Sequence, residues 1–215
     1  MMRKRLVFAL TAMLPLMMSC ISLSAGAYRP ALPIPAEIAQ RYEPFAVPEN
    51  IKLKKTKEYS YTLYEGNLDV NSVSIPFQYY RPHYAGKQPL VVVFPILGGG
   101  GEAERIVARS LARNDVAAIY VGRYMKPLPR KEPVDPAAVE KFARNMVSGA
   151  RTLVTWAIAN QDANPDHVGL VGISMGWFLG TNLLATDSRL SRAVLLLAGA
   201  DMAGILEKTE TAELV

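Results

Sequence analysis

The chain has 215 residues, half of them hydrophobic, a fifth charged and 8% aromatic. That balance suits a folded globular protein and excludes the disordered and collagen-like classes. The net charge of +5 includes Arg3, Lys4 and Arg5, clustered at the N-terminus, so the remaining excess is too small to name nucleic acid or another polyanion as a partner.

These three basic residues lead into a mainly apolar run over residues 6–18 and then into small residues, the three-part layout of a secretory signal peptide. The run falls short of the roughly 20 apolar residues that a membrane span needs. Two ends to the leader are written in the chain. Ala25-Gly26-Ala27 fits an A-x-A cleavage site, which makes residues 1–27 the signal and Tyr28 the first mature residue. Met17-Met18-Ser19-Cys20 instead resembles a bacterial lipoprotein signal over residues 1–19, in which Cys20 carries the lipid and tethers the protein to a membrane; Met17 stands where such signals usually have leucine. Cys20 is the only cysteine, so the mature protein is expected to lack a disulfide and thiol chemistry. Both readings predict export, to a bacterial cell envelope.

Residues 28–57 read as a proline-rich and basic tether or wrapping arm. Pro30, Pro33, Pro35, Pro44 and Pro48 disfavour regular structure, and Lys52, Lys54, Lys55 and Lys57 read as a solvated lead-in to the first strand. From residue 58 a single domain is expected. Residues 58–64 and 73–81 show partial alternation of β-rich residues, which predicts two edge strands separated at Gly66-Asn67, the second of them at an edge or bulged because of Pro76. Residues 90–97 form a continuous apolar strand running into Gly98-Gly99-Gly100-Gly101, and 102–114 carry helical spacing through Ile106, Ala108 and Leu111.

A second buried strand covers 116–121, and a proline-rich basic loop follows to 133. Asp135 before Pro136 marks a helix start. Val139, Phe142, Met146, Leu153 and Ala157, at steps of three, four or seven residues, carry that helix to about Asn160. A strand over 168–173, a helix directly after it and a strand over 193–198 follow. Strands alternate with helices and read as apolar on both faces. The fold class is therefore α/β, a mostly parallel sheet with helices on both faces and antiparallel N-terminal edge strands.

At the end of the 168–173 strand stands Gly172-Ile173-Ser174-Met175-Gly176. A G-x-S-x-G turn between strand and helix holds its serine in a strained backbone conformation, and the flanking glycines let strand and helix approach. Sites in such sheets lie beyond the carboxyl ends of the parallel strands, where Ser174 and the glycine-rich stretch after residue 97 both fall. Acyl transfer needs a nucleophile, oxyanion donors, a base and an acid to orient the base. Ser174 supplies the nucleophile. The backbone N–H of Met175 is one oxyanion donor, and Leu97 and Gly98 are the candidates for the other.

Residues 90–201 resemble the α/β-hydrolase superfamily, and the GISMG elbow with the preceding β-rich segments looks most like its dienelactone hydrolase and acetyl esterase branches. The resemblance implies hydrolysis of a small-molecule ester through an acyl-enzyme on Ser174, with neither metal nor organic cofactor. Many relatives carry a small residue right after the elbow, where this chain has Trp177; its ring would line the acyl pocket or pack on a neighbouring strand.

The base is the missing part. The only histidines, His83 and His167, precede the serine, whereas the superfamily order is serine, acid, histidine, and both are expected at the opposite edge of the sheet. Asp201 follows the strand after the elbow and is the candidate acid, with a loop or helix-cap role as the alternative. Residues 202–215 are too few for the two further strands and helices that normally deliver acid and histidine. The expectation is a C-terminally shortened hydrolase domain over residues 58–215, impaired in turnover. Two other readings remain: a lipid-tethered binding module without turnover, and an NADP-binding protein in which residues 98–103 supply G-x-G-x-x-A and Arg123 reads a 2′-phosphate.

Overall fold

The computed structural model describes residues 34–70, 73–96, 101–124 and 135–198. The leader, Cys20, Leu97, Gly98 and Asp201 lie outside the described residues.

Among the described residues seven strands form one sheet: β1 (Leu53–Lys57), β2 (Tyr61–Val70), β3 (Val73–Pro82), β4 (Gln88–Phe94), β5 (Ala117–Val121), β6 (Ala163–Ile173) and β7 (Leu190–Leu196). The helices are α1 (Ala36–Gln40), α2 (Glu102–Arg113), α3 (Pro136–Asn160) and α4 (Met175–Thr186). The strand order is β1-β2-β3-β5-β4-β6-β7. β1, β2 and β3 form an antiparallel meander that joins β5 antiparallel, and β5, β4, β6 and β7 run parallel. The expected α/β class is what the chain adopts. α3 begins where the sequence predicts: the Asp135 carboxylate accepts from the Ala137 N–H at 2.9 Å, and Pro136 occupies the first turn, where its missing N–H is not needed.

Helices cover both faces. α3 and α4 bury Met146, Leu153, Trp156, Leu179 and Leu183 against the sheet. Phe77 and Tyr79 of β3 meet the Trp156 ring edge-on at 5.6 and 5.5 Å, each such pair adding about 1 kcal/mol beyond area burial. On the other face Ala108 and Ala112 of α2 pack on Tyr61, Tyr80 and Ala118. Small residues on this helix let it lie close to a tyrosine-rich surface.

Three local readings are corrected by the tertiary structure. Gly66 and Asn67 do not separate two strands; they lie inside β2, paired with Phe77 and Pro76. Gly66 is there because a β-carbon would sit 2.8 Å from the Lys52 carbonyl oxygen, where the chain enters β1. The lysine-rich lead-in is itself strand β1 at the outer edge of the sheet, with Lys54 near Glu65 and Lys55 over the Tyr64 ring. β3 is interior rather than an edge strand. Pro76 is tolerated because pairing with β5 begins at Phe77↔Val121, and the Pro76 carbonyl accepts from the Gly122 N–H at 2.7 Å as β5 ends. On β7, the last described strand, Val194 and Leu196 are nearly half exposed among the described residues.

The N-terminal segment also departs from the reading of no regular structure, since Pro35 caps the short helix α1. Beyond it Tyr42, Phe45 and Val47 pack on the core. Arg151 Nη1 donates to the Tyr42 carbonyl at 2.6 Å and Thr152 Oγ1 to that of Phe45 at 3.2 Å, which lays this arm along α3. At the far end of α4, buried Asp187 accepts from Arg189 through both carboxylate oxygens and lies 3.6 Å from Arg151 Nε. Arg189 also reaches Thr155 Oγ1 and the Arg151 carbonyl, so this ion cluster ties the α4–β7 turn to α3.

Candidate active site

Ser174 stands between the last residue of β6 and the first of α4, with φ 52° and ψ −120°. An L-residue at positive φ away from the small left-handed well is strained by roughly 1–3 kcal/mol and persists only where the surroundings hold it. Here the Ser174 N–H donates to the Leu196 carbonyl at 3.0 Å, and its own carbonyl accepts from the Trp177 N–H at 2.9 Å. The glycines do what the motif requires. A β-carbon on Gly172 would collide with the Gly176 carbonyl, and one on Gly176 would come within 3.0 Å of the Phe94 carbonyl oxygen and 3.3 Å of that of Pro95. Strand, turn, helix and the end of β4 therefore close on one another around the serine.

Met175 opens α4, so its N–H has no partner within the helix and sits at the positive end of the helix dipole beside the serine. Leu97 and Gly98, the other expected donors, lie outside the described residues. The β4 end that leads to them is held by Glu104. This fully buried carboxylate accepts from the Ile96 N–H at 2.6 Å through Oε1. At the other end of that connection Gly101 caps α2 at φ 79°, and a side chain there would strike the Tyr120 hydroxyl.

The register sets the neighbours of the serine. Gly172 pairs with Phe94, Val93 with Tyr120, and Val121 with Phe77. Just past that row the three neighbouring strands end, at Ile173, Phe94 and Val121, and lead into Ser174, Pro95-Ile96 and Gly122-Arg123. Strands are about 4.8 Å apart, so the ends of β5 and β6, which lead to Arg123 and Ser174, are roughly 10 Å apart. On the other side Ile173 pairs with Leu196, which brings Leu197 level with Ser174. Leu197 also has positive φ, 54°, and is 81% exposed, an apolar side chain beside the nucleophile.

Neither histidine is near. His83 follows β3 at the edge where the parallel strands begin, its Nε2 3.2 Å from Thr62 Oγ1. His167 is exposed and lies within β6 rather than before it, because pairing with β4 extends this strand back to Ala163. Six residues of strand lie between it and Ser174, which puts the two about 20 Å apart. Its Nδ1 is 2.9 Å from Asn164 Nδ2. Trp177 is half-exposed, edge-on to Phe178. Among the described residues no three histidine, cysteine or acidic side chains gather to hold a metal.

Leu197 and Glu104 escaped the sequence reading. A leucine at positive φ leaves no mark in composition, and Glu104 shares the first turn of its helix with Glu102, which is exposed and paired with Arg105 and Arg109.

No family model and no curated protein matches the chain. Solved structures do. An esterase from an Arctic intertidal metagenomic library is 21% identical, with a TM-score of 0.52, over 70% of this chain and 66% of its own. A Bacteroides fragilis protein provisionally named an acetyl xylan esterase is 13% identical, TM-score 0.58, over 72% of this chain and 49% of its own. A dienelactone hydrolase-like phosphotriesterase from metagenomic libraries is 18% identical, TM-score 0.53, over 67% and 63%. The chain spans less than two thirds of the length of each. At these identities the likeness is one of fold, and the fold is that of the α/β-hydrolases.

Proposed function

We propose that this chain, built on the α/β-hydrolase fold, belongs to a carboxylic ester hydrolase whose nucleophile is Ser174. The observation that carries the reading is the strained serine at the N-terminus of α4, at φ 52°, with β4 closed against the turn. Ser174 Oγ attacks the ester carbonyl, and the charge that develops on the carbonyl oxygen is taken by the Met175 N–H and by a donor from Leu97 or Gly98. Each such donor contributes about 3 kcal/mol to the transition state. Collapse expels the alcohol and leaves an acyl group on Ser174, which water removes.

Both steps need a base to take a proton, and neither His83 nor His167 reaches the serine. Asp201 is the acid in this reading, but with no imidazole to orient it does not replace the base. Turnover by this polypeptide alone is accordingly reduced to what oxyanion stabilisation and binding supply, roughly a thousandfold over water or somewhat more. The leader and Cys20 make the protein an exported one of the cell envelope, tethered by lipid if the signal ends before Cys20. A non-catalytic binding module on the same fold is the second reading, favoured by the distance of both histidines from Ser174.

The test is labelling with a fluorophosphonate. Slow labelling that disappears in Ser174→Ala supports a nucleophilic serine lacking its base. Labelling at the rate of intact serine hydrolases contradicts the missing base, and labelling that persists in Ser174→Ala removes Ser174 from the reaction.

A further inference from the structure

A cleft of about 560 Å³ opens beside β2, β3, β5 and the first turns of α2, lined among others by Glu65, Phe77, Gln78, Arg105, Tyr120 and Arg123. It is at the same edge of the sheet as Ser174, since Gly122 and Arg123 follow the carboxyl end of β5, two strands from the carboxyl end of β6 where the serine stands. We propose that this cleft is a sugar-binding site, holding the alcohol portion of an ester cleaved at Ser174. The part played by the ester rests on the hydrolase reading; the binding of sugar does not.

The lining chemistry argues for hydroxyl groups. Gln78 Nε2 donates to Glu65 Oε1 at 2.8 Å, and Gln78 Oε1 accepts from the Tyr80 hydroxyl at 2.7 Å, which fixes the amide plane. Lys54 approaches Glu65 Oε2 at 3.7 Å. Arg105 is fixed by donating through Nε and Nη2 to Glu102 Oε2 at 3.2 and 3.1 Å. These bonds use one of the two Gln78 amide protons and two of the three Arg105 nitrogens, so each group keeps donors for a ligand, and the Glu65 carboxylate keeps lone pairs. Oriented donors and acceptors side by side match neighbouring hydroxyls on a ring, and being held in place beforehand they lose little freedom on binding.

Tyr120 adds an aromatic wall with a polar tip. Burial raises its phenol above the ordinary value, aided by the nearby Glu104 carboxylate and opposed by Arg105 and Arg123, so the hydroxyl remains a donor at neutral pH. An acyl chain is a poor fit, because it would strip water from guanidinium and carboxylate groups and return nothing to them. The volume lies within the range of small-molecule sites and accommodates more than one sugar ring.

Calorimetric titration of the full chain carrying Ser174→Ala tests this, using neutral mono- to trisaccharides of xylose, glucose and galactose, with hexanoate as the acyl probe. Saturable binding of at least one sugar is expected, weakened tenfold or more by Gln78→Ala and by Arg105→Ala. Both positions are half-exposed, and each variant is first checked for an unchanged melting temperature; one that melts lower is replaced by Gln78→Leu or Arg105→Met. Absence of binding by every sugar overturns the proposal, as does sugar binding that neither substitution alters, or binding of hexanoate alone that Gln78→Ala abolishes. The titration uses no ester and no Ser174, so its failure leaves fluorophosphonate labelling intact as a separate test of the hydrolase reading.

Discussion

The carbonyl oxygen of Gly176 occupies the space that a β-carbon on Gly172 would need. Two backbone segments meet there, and neither can swing aside as a side chain would. Gly172→Ala is therefore expected to destabilise the fold by about 3 kcal/mol, the upper end of ordinary overpacking. Gly180→Ala is the control. Its new methyl would meet the ends of the Leu170 and Leu195 side chains, at 2.9 and 3.1 Å, which can rotate away, so a loss of about 1 kcal/mol is expected. Urea denaturation of the two variants checks the order, and equal losses would contradict a backbone clash at the elbow.

Ser174 stores strain in its backbone, and glycine alone relieves it. Ser174→Ala removes the hydroxyl but leaves a β-carbon at φ 52°, whereas Ser174→Gly removes both. The glycine variant is expected to be more stable than the alanine variant by about 1 kcal/mol, after the larger entropy glycine loses on folding is set against the relieved strain. Differential scanning calorimetry of the pair measures this. A glycine variant that melts below the alanine one would show that the turn is relaxed.

Asp187 makes stability depend on pH. Burial raises its pKa, but hydrogen bonds and charge from Arg189, with the Arg151 charge, more than reverse this, and the net folded value is below the ordinary one. A depressed folded pKa means that the contribution is present above the unfolded value, about 3.9, and is lost as pH falls below it. Asp187→Asn leaves Arg189 and Arg151 without their anion and should cost about 3 kcal/mol at pH 6, as broken buried pairs do. Between pH 5 and pH 2.5 the difference between parent and variant in urea midpoint should shrink; a constant difference would mean that the carboxylate charge contributes nothing.

Glu104 anchors the Ile96 N–H from the first turn of α2. Glu104→Ala removes that acceptor from a buried donor and should cost about 2–3 kcal/mol. Glu104→Gln keeps an oxygen in the same place and should lose distinctly less. Denaturation midpoints compare the two, and equal losses would show that the bond to Ile96 is not what the carboxylate supplies.

Much of this molecule is legible locally. The apolar runs of β4 and β5, the Asp135-Pro136 start of α3 and the G-x-S-x-G turn into α4 depend on neighbours within a few residues, so periodicity, capping and glycine placement suffice to find them. The sequence already sets His83 and His167 before Ser174, and strand direction turns this order into a separation in space.

What the tertiary structure alone decided depends on groups distant in the chain. Gly66 looks like a turn residue until the Lys52 carbonyl is seen against it, and the lysine-rich segment becomes a strand only because β2 offers it an edge. The first turn of α2 carries Glu102 and Glu104, one exposed and one fully buried, and no local pattern separates them. The cleft beside Arg105 and Tyr120 lies where β5 ends at Val121 while β3, paired antiparallel to it, reaches back past Phe77 to Val73 and stays paired with β2. Hydrophobic periodicity tells which side of an element faces inward, but the partner it faces is set by chain folding over many residues, and that choice places the polar groups around Ser174.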